Sequence, residues 1–260
     1  MVIREQVQQE IDSLQEGVVV TASDFEVPRH YRATLIKALN QFEYAGILKK
    51  VSKGKYYKPR QSRFGEMTPS ENEIVKDFLQ KGRKTIGYIT GTRAFSGLAL
   101  TTQISSDILI GTNVARRPLQ RGQYKISFLL QPNSITSKNI PLLIILDTLR
   151  LIKEIPASTP EEALPQIIAW IRNLSASEQK RLASLAMKYR PYVRALTGAI
   201  LEYLGCPFFD LQESLNPISR YCLDIPKSVL PTSMFIREGT PRGLRQMSTG
   251  VPSARNGISS

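Results

Sequence analysis

Apolar residues recur along the first sixty positions at two different periods. Val2, Ile3, Val7, Ile11 and Leu14 fall on one stripe at 100° per residue, which predicts an amphipathic helix. The β-branched VVVT that follows reads as a strand, and the polar ASDFEVP opens a turn. Helical spacing returns from about Arg29 to Tyr44, with Leu35, Leu39 and Phe42 on one face, Ala38 beside them and Gly46 as a left-handed exit residue. Ile47 to Val51 and Tyr56 to Lys58 then read as two short strands joined through Ser52-Lys53-Gly54-Lys55, where the glycine permits a tight turn. Helix, turn, helix and β-hairpin in that order predict a winged helix-turn-helix. Adjacent side chains of a strand point to opposite faces, so one of Tyr56 and Tyr57 is expected to pack inward and the other to stay free.

From Gln61 to about Glu71 the periodicity lapses, and QSRFGEMTPSE reads as a connection between domains. ENEIVKDFLQ is then helical, GYITG and DILIGT are strand-like with a helical TRAFSGLAL between them, and QYKISFLLQ alternates as a half-buried strand. Beyond Asn139 the pattern is helical throughout, in PLLIILDTLRLIKEI, EEALPQIIAWIRNL, SASEQKRLASLAMKY and PYVRALTGAILEYLG. STPEE and SASE supply Ser/Thr caps with a glutamate downstream. Strands and helices segregate along the chain, so the expected class is α+β. Residues 1–62 form the winged helix-turn-helix, 63–230 a mixed α/β domain with a mostly helical second half, and 231–260 a flexible basic tail rich in Gly, Ser, Arg and Pro.

Charge sharpens the first domain. The 260 residues carry 35 Lys/Arg against 22 Asp/Glu, a formal +13 that favours phosphate polymers or anionic surfaces as partners. That excess is uneven, because residues 29–63 hold ten basic residues and the single acid Glu43, whereas residues 1–28 hold one basic residue and six acidic ones. On the helix face opposite Leu35, Leu39 and Phe42 lie Arg29, His30, Ala33, Lys37, Asn40 and Gln41, with Arg32 nearby. Such a face offers long donors for phosphates and base edges, and a small residue where a helix comes closest to DNA. Lys49, Lys50, Lys53, Gly54, Lys55 and Tyr57 line the tip and flanks of the hairpin, which can lie along a phosphate backbone. Binding should therefore weaken steeply with salt.

Catalytic chemistry finds little footing. Gly91 and Gly97 stand in GTRAFSGLALTT, but Leu98 and Ala99 occupy the positions where a phosphate-binding loop requires Lys and Ser/Thr. His30 is the one histidine and belongs to the basic face, and Cys206 and Cys222 have no metal-ligand spacing, so no metal or cofactor is expected. Asp107, Asp147 and Glu154 form no nuclease motif and read as capping or solvated acids. No segment gives eighteen uncharged apolar residues, and the amino end lacks a signal-peptide core. The reading is a cytoplasmic binding protein with reduced, inert thiols and no membrane partner.

The ordered series DFEVPRHYRATLIKALNQFEYAGILKKVSKGKYYKP, FGEMTPSE and GYITGTRAFSGLALTTQ resembles the AbiEi-type antitoxins of bacterial type IV toxin–antitoxin systems. LLIILDTLRLIKEIP, YRPYVRALTGAILEYLG and SLNPISRY are similar to a subgroup of that family with a helical carboxy-terminal extension, so the resemblance spans roughly residues 1–230. It implies a winged helix that binds inverted repeats in double-stranded DNA at its own promoter and represses its operon. It also implies an antitoxin that opposes a nucleotidyltransferase-like toxin without a stable complex, acting as a monomer or weak dimer. Two other readings remain: an interaction module whose helical half docks a partner while the winged helix is vestigial, and a nuclease.

Overall fold

The computed structural model describes residues 3–103, 105–216, 229–231, 233 and 235. Its first element, α1 (Ile3–Ser13), buries Val7 and Ile11, and Leu14 packs against the same cluster. Val2, expected on that stripe, lies outside the described residues. After β1 (Val19–Thr21) and a 3-10 turn over Arg29–Tyr31 comes α2 (Arg32–Tyr44), which buries Leu35, Ala38, Leu39 and Phe42. The helix predicted from Arg29 thus begins one turn later, because Pro28 holds an extended φ/ψ of −54° and 143° and the first turn winds tighter. β2 (Lys49–Ser52) and β3 (Lys55–Tyr57) form the hairpin, and the antiparallel sheet has the order β1-β3-β2.

The stretch read as an irregular connection is ordered. β4 (Arg60–Ser62) and β5 (Gly65–Met67) pair as a second small hairpin whose turn uses Gly65 at φ +107°. Its strands are three residues long and face water on both sides, so no alternation betrays them in the sequence. α3 (Glu71–Leu79) follows, capped by Ser70 Oγ, which accepts from the Glu73 amide, and leads into the ribbon β6 (Gln80–Lys81) and β7 (Lys84–Thr85).

A mixed four-stranded sheet has the order β10-β11-β9-β8, from β8 (Gly87–Thr90), β9 (Asp107–Thr112), β10 (Leu119–Arg121) and β11 (Tyr124–Leu130). β9 and β11 run parallel and the other pairs antiparallel. α4 (Thr92–Gly97) links β8 to β9. One sheet face presents Ile108, Ile110 and Ile126 to Ile74, Val75 and Phe78 of α3. The other presents Tyr88, which shares the main core with α5 (Ile140–Arg150), α6 (Pro160–Asn173), α7 (Ala176–Ala186) and α8 (Pro191–Tyr203). The molecule is α+β. Both predicted caps form complete capping boxes, Thr159 with Glu162 on α6 and Ser175 with Glu178 on α7.

Two expectations in this half are corrected. Asp147 is not a solvated acid. It has no exposure and accepts hydrogen bonds from Tyr88 Oη at 2.6 Å and Tyr189 Oη at 2.8 Å, while Gln131 Nε2 donates to both phenols. Helical spacing puts this residue on the buried face of α5, where a carboxylate needs such partners. The packed chain also extends past 230. Ser233 and Phe235 are buried, and Phe235 lies so close to Gly198 that a Cβ there would meet its ring at 2.5 Å. The rest of the tail expected over 231–260, and Cys222, lie outside the described residues; Cys206 is a free thiol, partly buried.

Candidate nucleic-acid interface

The interface builds from three local pieces. In the turn after β1, Asp24 Oδ2 accepts from the Thr21 amide at 2.7 Å and from Thr21 Oγ1 at 2.9 Å, which fixes Ala22 and Ser23 at the surface. α2 follows, with its buried stripe against the sheet and Arg32, Ala33, Lys37, Asn40 and Gln41 exposed on the other side. The hairpin tip is the third piece, where Gly54 at φ +73° lets Lys53 project.

These pieces converge. Thr21, Ala22, Ser23, Arg32, Ile36, Asn40, Lys50, Lys53, Gly54 and Tyr56 line a groove of about 590 Å³ between helix and hairpin. A second concavity of about 470 Å³ on the outer side of α2 is lined by Ala33, Ile36, Lys37, Asn40, Gln41 and Tyr44. Ile36 and Asn40 belong to both, so the surface is continuous across the helix. Tyr56 Oη donates to Asn40 Oδ1 at 2.8 Å, tying helix to sheet and committing the carbonyl end of the amide. The end left for a ligand is the NH₂. Arg29 and His30 are exposed in the 3-10 turn at the entrance to α2, with the His30 ring 4.1 Å from that of Tyr31.

The lysines divide into three kinds. Lys53 is exposed and has no ion-pair partner among the described residues. Lys50 donates to Glu43 Oε2 at 2.7 Å, and Lys49 to Glu66 on β5, with both ion pairs open to water. Hydrogen bonding to these glutamates is the main cause holding both ammonium groups above their ordinary pKa, and Lys49 in turn holds the Glu66 carboxyl below its own. Lys55 differs, with its side chain only 16% exposed in an ion pair with Asp77 of α3. Burial is the leading influence on it and lowers its pKa. Asp77 also takes two hydrogen bonds from Arg121, at 2.6 and 2.9 Å, and this buried guanidinium stacks 4.3 Å from the centre of the Phe78 ring.

Lys55 and Tyr57 therefore leave the candidate set. Neither Tyr56 nor Tyr57 stays free: they are 3% and 7% exposed, and burial raises the Tyr57 phenol pKa. The reason is topological. β3 is the central strand of three, with Tyr56 facing the α1–α2 core and Tyr57 facing the opposite side of the sheet. On that back side lies α3. Glu73 accepts from the Val19 amide at 3.0 Å, level with Tyr57 in the sheet, and Asp77 reaches Lys55 beside the tip, so α3 runs along the hairpin from base to tip.

Sequence reasoning missed Thr21, Ala22, Ser23 and Ile36 as groove residues, and Glu66 and Asp77 as partners of the basic ones. Ile36 could have been found as an apolar residue off the buried stripe, 43% exposed. Among the described residues no group of three or more His, Cys, Asp or Glu is placed to hold a metal, and no helix is long and apolar enough to cross a membrane.

Comparison with known proteins adds a family and a structural likeness. The chain is similar to the crystal structure of the RV2827C protein from Mycobacterium tuberculosis, at 18% identity and a TM-score of 0.48, with 83% of each chain covered. No curated protein matches it significantly. The model of DUF6088, a family of unknown function, matches residues 6–178, and the chain belongs to that family.

Proposed function

We propose that this chain is a DNA-binding autorepressor in which the amino-terminal module acts as a winged helix-turn-helix on an inverted repeat in its own promoter. In this reading α2 enters the major groove, with Ala33 where the helix approaches the base pairs. The Asn40 NH₂ and the Gln41 amide face base edges, while Arg29, Arg32, Lys37 and Lys53 meet phosphates. One observation carries the reading: the polar face of α2 and the Lys53-Gly54 tip line the same groove. The antitoxin role, against a nucleotidyltransferase-like toxin and without a stable complex, rests on the resemblance of the ordered sequence segments. The protein then works in the cytoplasm as a monomer or weak dimer, without catalysis.

A mobility-shift titration on the promoter fragment tests this. Arg32→Ala and Lys53→Ala are expected to weaken binding, and in cells to relieve repression while leaving toxin neutralisation intact. Unchanged shifts in both variants would remove the proposed surface. The engagement of Lys49, Lys50 and Lys55 by carboxylates favours a second reading, in which the winged helix is vestigial and the helical half docks a partner. Under it the same variants leave both repression and neutralisation unchanged.

A further inference from the structure

Carboxylates neutralise the hairpin's lysines to different degrees. Lys49–Glu66 and Lys50–Glu43 are half-open to water, with side-chain exposures of 44% and 40% in the first pair and 36% and 35% in the second. Exposed pairs of this kind contribute little to stability, so a carboxylate in one can be exchanged for another anion at small cost. Each glutamate presents the same chemistry as a DNA phosphate, a pair of anionic oxygens at hydrogen-bond distance from an ammonium group. Glu66 comes from β5, a separate hairpin placed against the base of the sheet, and Glu43 from the last turn of α2. Lys55 is a different case, because its ion pair with Asp77 is shared with the buried Arg121 and belongs to the packing of α3.

We infer that Glu43 is an internal competitor for DNA phosphate, holding Lys50 in reserve and thereby setting specificity. Lys49 lies opposite Tyr57 in the sheet, so it and Glu66 face the back, away from the groove. On a random duplex, Arg29, Arg32, Lys37 and Lys53 are immediately available, and engaging Lys50 requires the Glu43 carboxylate to give way. Affinity for non-operator DNA is kept low. On the operator, base contacts from α2 hold the hairpin against the backbone long enough for the exchange. Glu43 therefore acts through Lys50 and is a specificity-determining residue, not a DNA contact. This rests on the DNA-binding reading above.

Anisotropy titrations over a range of salt concentrations, with a mixed-sequence duplex of about 30 base pairs and with the promoter fragment, test the inference on the full chain. The variant is Glu43→Gln, with Glu66→Gln on the back of the sheet and Glu161→Gln on α6 as controls of equal charge change. One further phosphate contact steepens the log–log salt slope by about 0.9, a factor of about eight between 1 M and 0.1 M salt. Glu43→Gln is expected to gain about that factor on the mixed duplex and less on the promoter, so the specificity ratio falls, while both controls stay within twofold of the parent. Equal gains in Glu43→Gln and the controls would reduce the effect to net charge and overturn the inference. So would a parent-like slope in Glu43→Gln when Lys53→Ala still weakens binding. If Lys53→Ala and Arg32→Ala are also without effect, the DNA-binding reading itself has failed. Circular dichroism melts of the variants, expected to match the parent, separate binding from folding.

Discussion

Asp147 is the residue whose environment leaves least room for change. Replacing it with Ala strands two buried phenols that now donate to its carboxylate, and Gln131 cannot accept from them in its place because its Nε2 only donates and its Oε1 already accepts from Asn133. The expected loss is about 3 kcal/mol of unfolding free energy, read by urea denaturation; a loss under about 1 kcal/mol would contradict the account. Burial raises the pKa of this carboxyl, so the folded protein holds its proton more tightly than the unfolded chain does. Its contribution to stability is fully present below the unfolded carboxyl pKa and is lost as pH rises through the folded value. Glu66, Asp77 and Glu178, whose pKa values are depressed, act in the opposite sense and lose stability on acidification. Melting temperatures of parent and Asp147→Asn as a function of pH isolate the first effect: the parent should lose stability relative to the variant on going from acid toward neutral pH. At Asp77 the removal of a carboxylate leaves the buried Arg121 with the Ile74 carbonyl as its one acceptor among the described residues. Asp77→Ala is expected to cost about 2 kcal/mol and to leave the salt slope of DNA binding unchanged.

At the level of elements, what the sequence reveals depends on how local the signal is. α2, α6 and α7 carry both a 3.6-residue apolar stripe and their own terminators, so their existence and burial follow from residues a turn apart. Thr159 at the start of α6 is the cleanest instance. Its side chain and Glu162 satisfy each other's amides, and Thr159→Ala is expected to cost about 1 kcal/mol in thermal unfolding. β4, β6, β7 and β10 are two or three residues long, and pairing alone defines them. Tyr56 and Tyr57 show the same limit from another side. Their alternation was legible, but the fate of the outer face depended on α3, more than a dozen residues downstream, being laid along it. The candidate site divides similarly: Arg32, Ala33, Lys37, Asn40, Gln41 and Lys53 follow from helix periodicity and turn chemistry, whereas the capture of Lys49 by Glu66 and of Lys55 by Asp77 is a product of the assembled fold.

Across the whole molecule, α3 is the element that joins the two halves of the account. Its outer residues Glu73 and Asp77 hold the back of the amino-terminal sheet, and its apolar residues Ile74, Val75 and Phe78 hold the four-stranded sheet, with Val51 of β2 reaching the same cluster. The groove thereby keeps its open side away from the second half, with Arg32 and Lys53 across it from one another. The central claim is that this groove contacts the DNA backbone. Its most direct test is the slope of log K against log salt on the promoter fragment for the parent, for Arg32→Ala/Lys53→Ala and for Lys55→Ala. With two phosphate contacts removed, the double variant should have a slope shallower by about 1.8 and Lys55→Ala the parent's slope. A double variant that keeps the parent's slope and affinity would contradict the account.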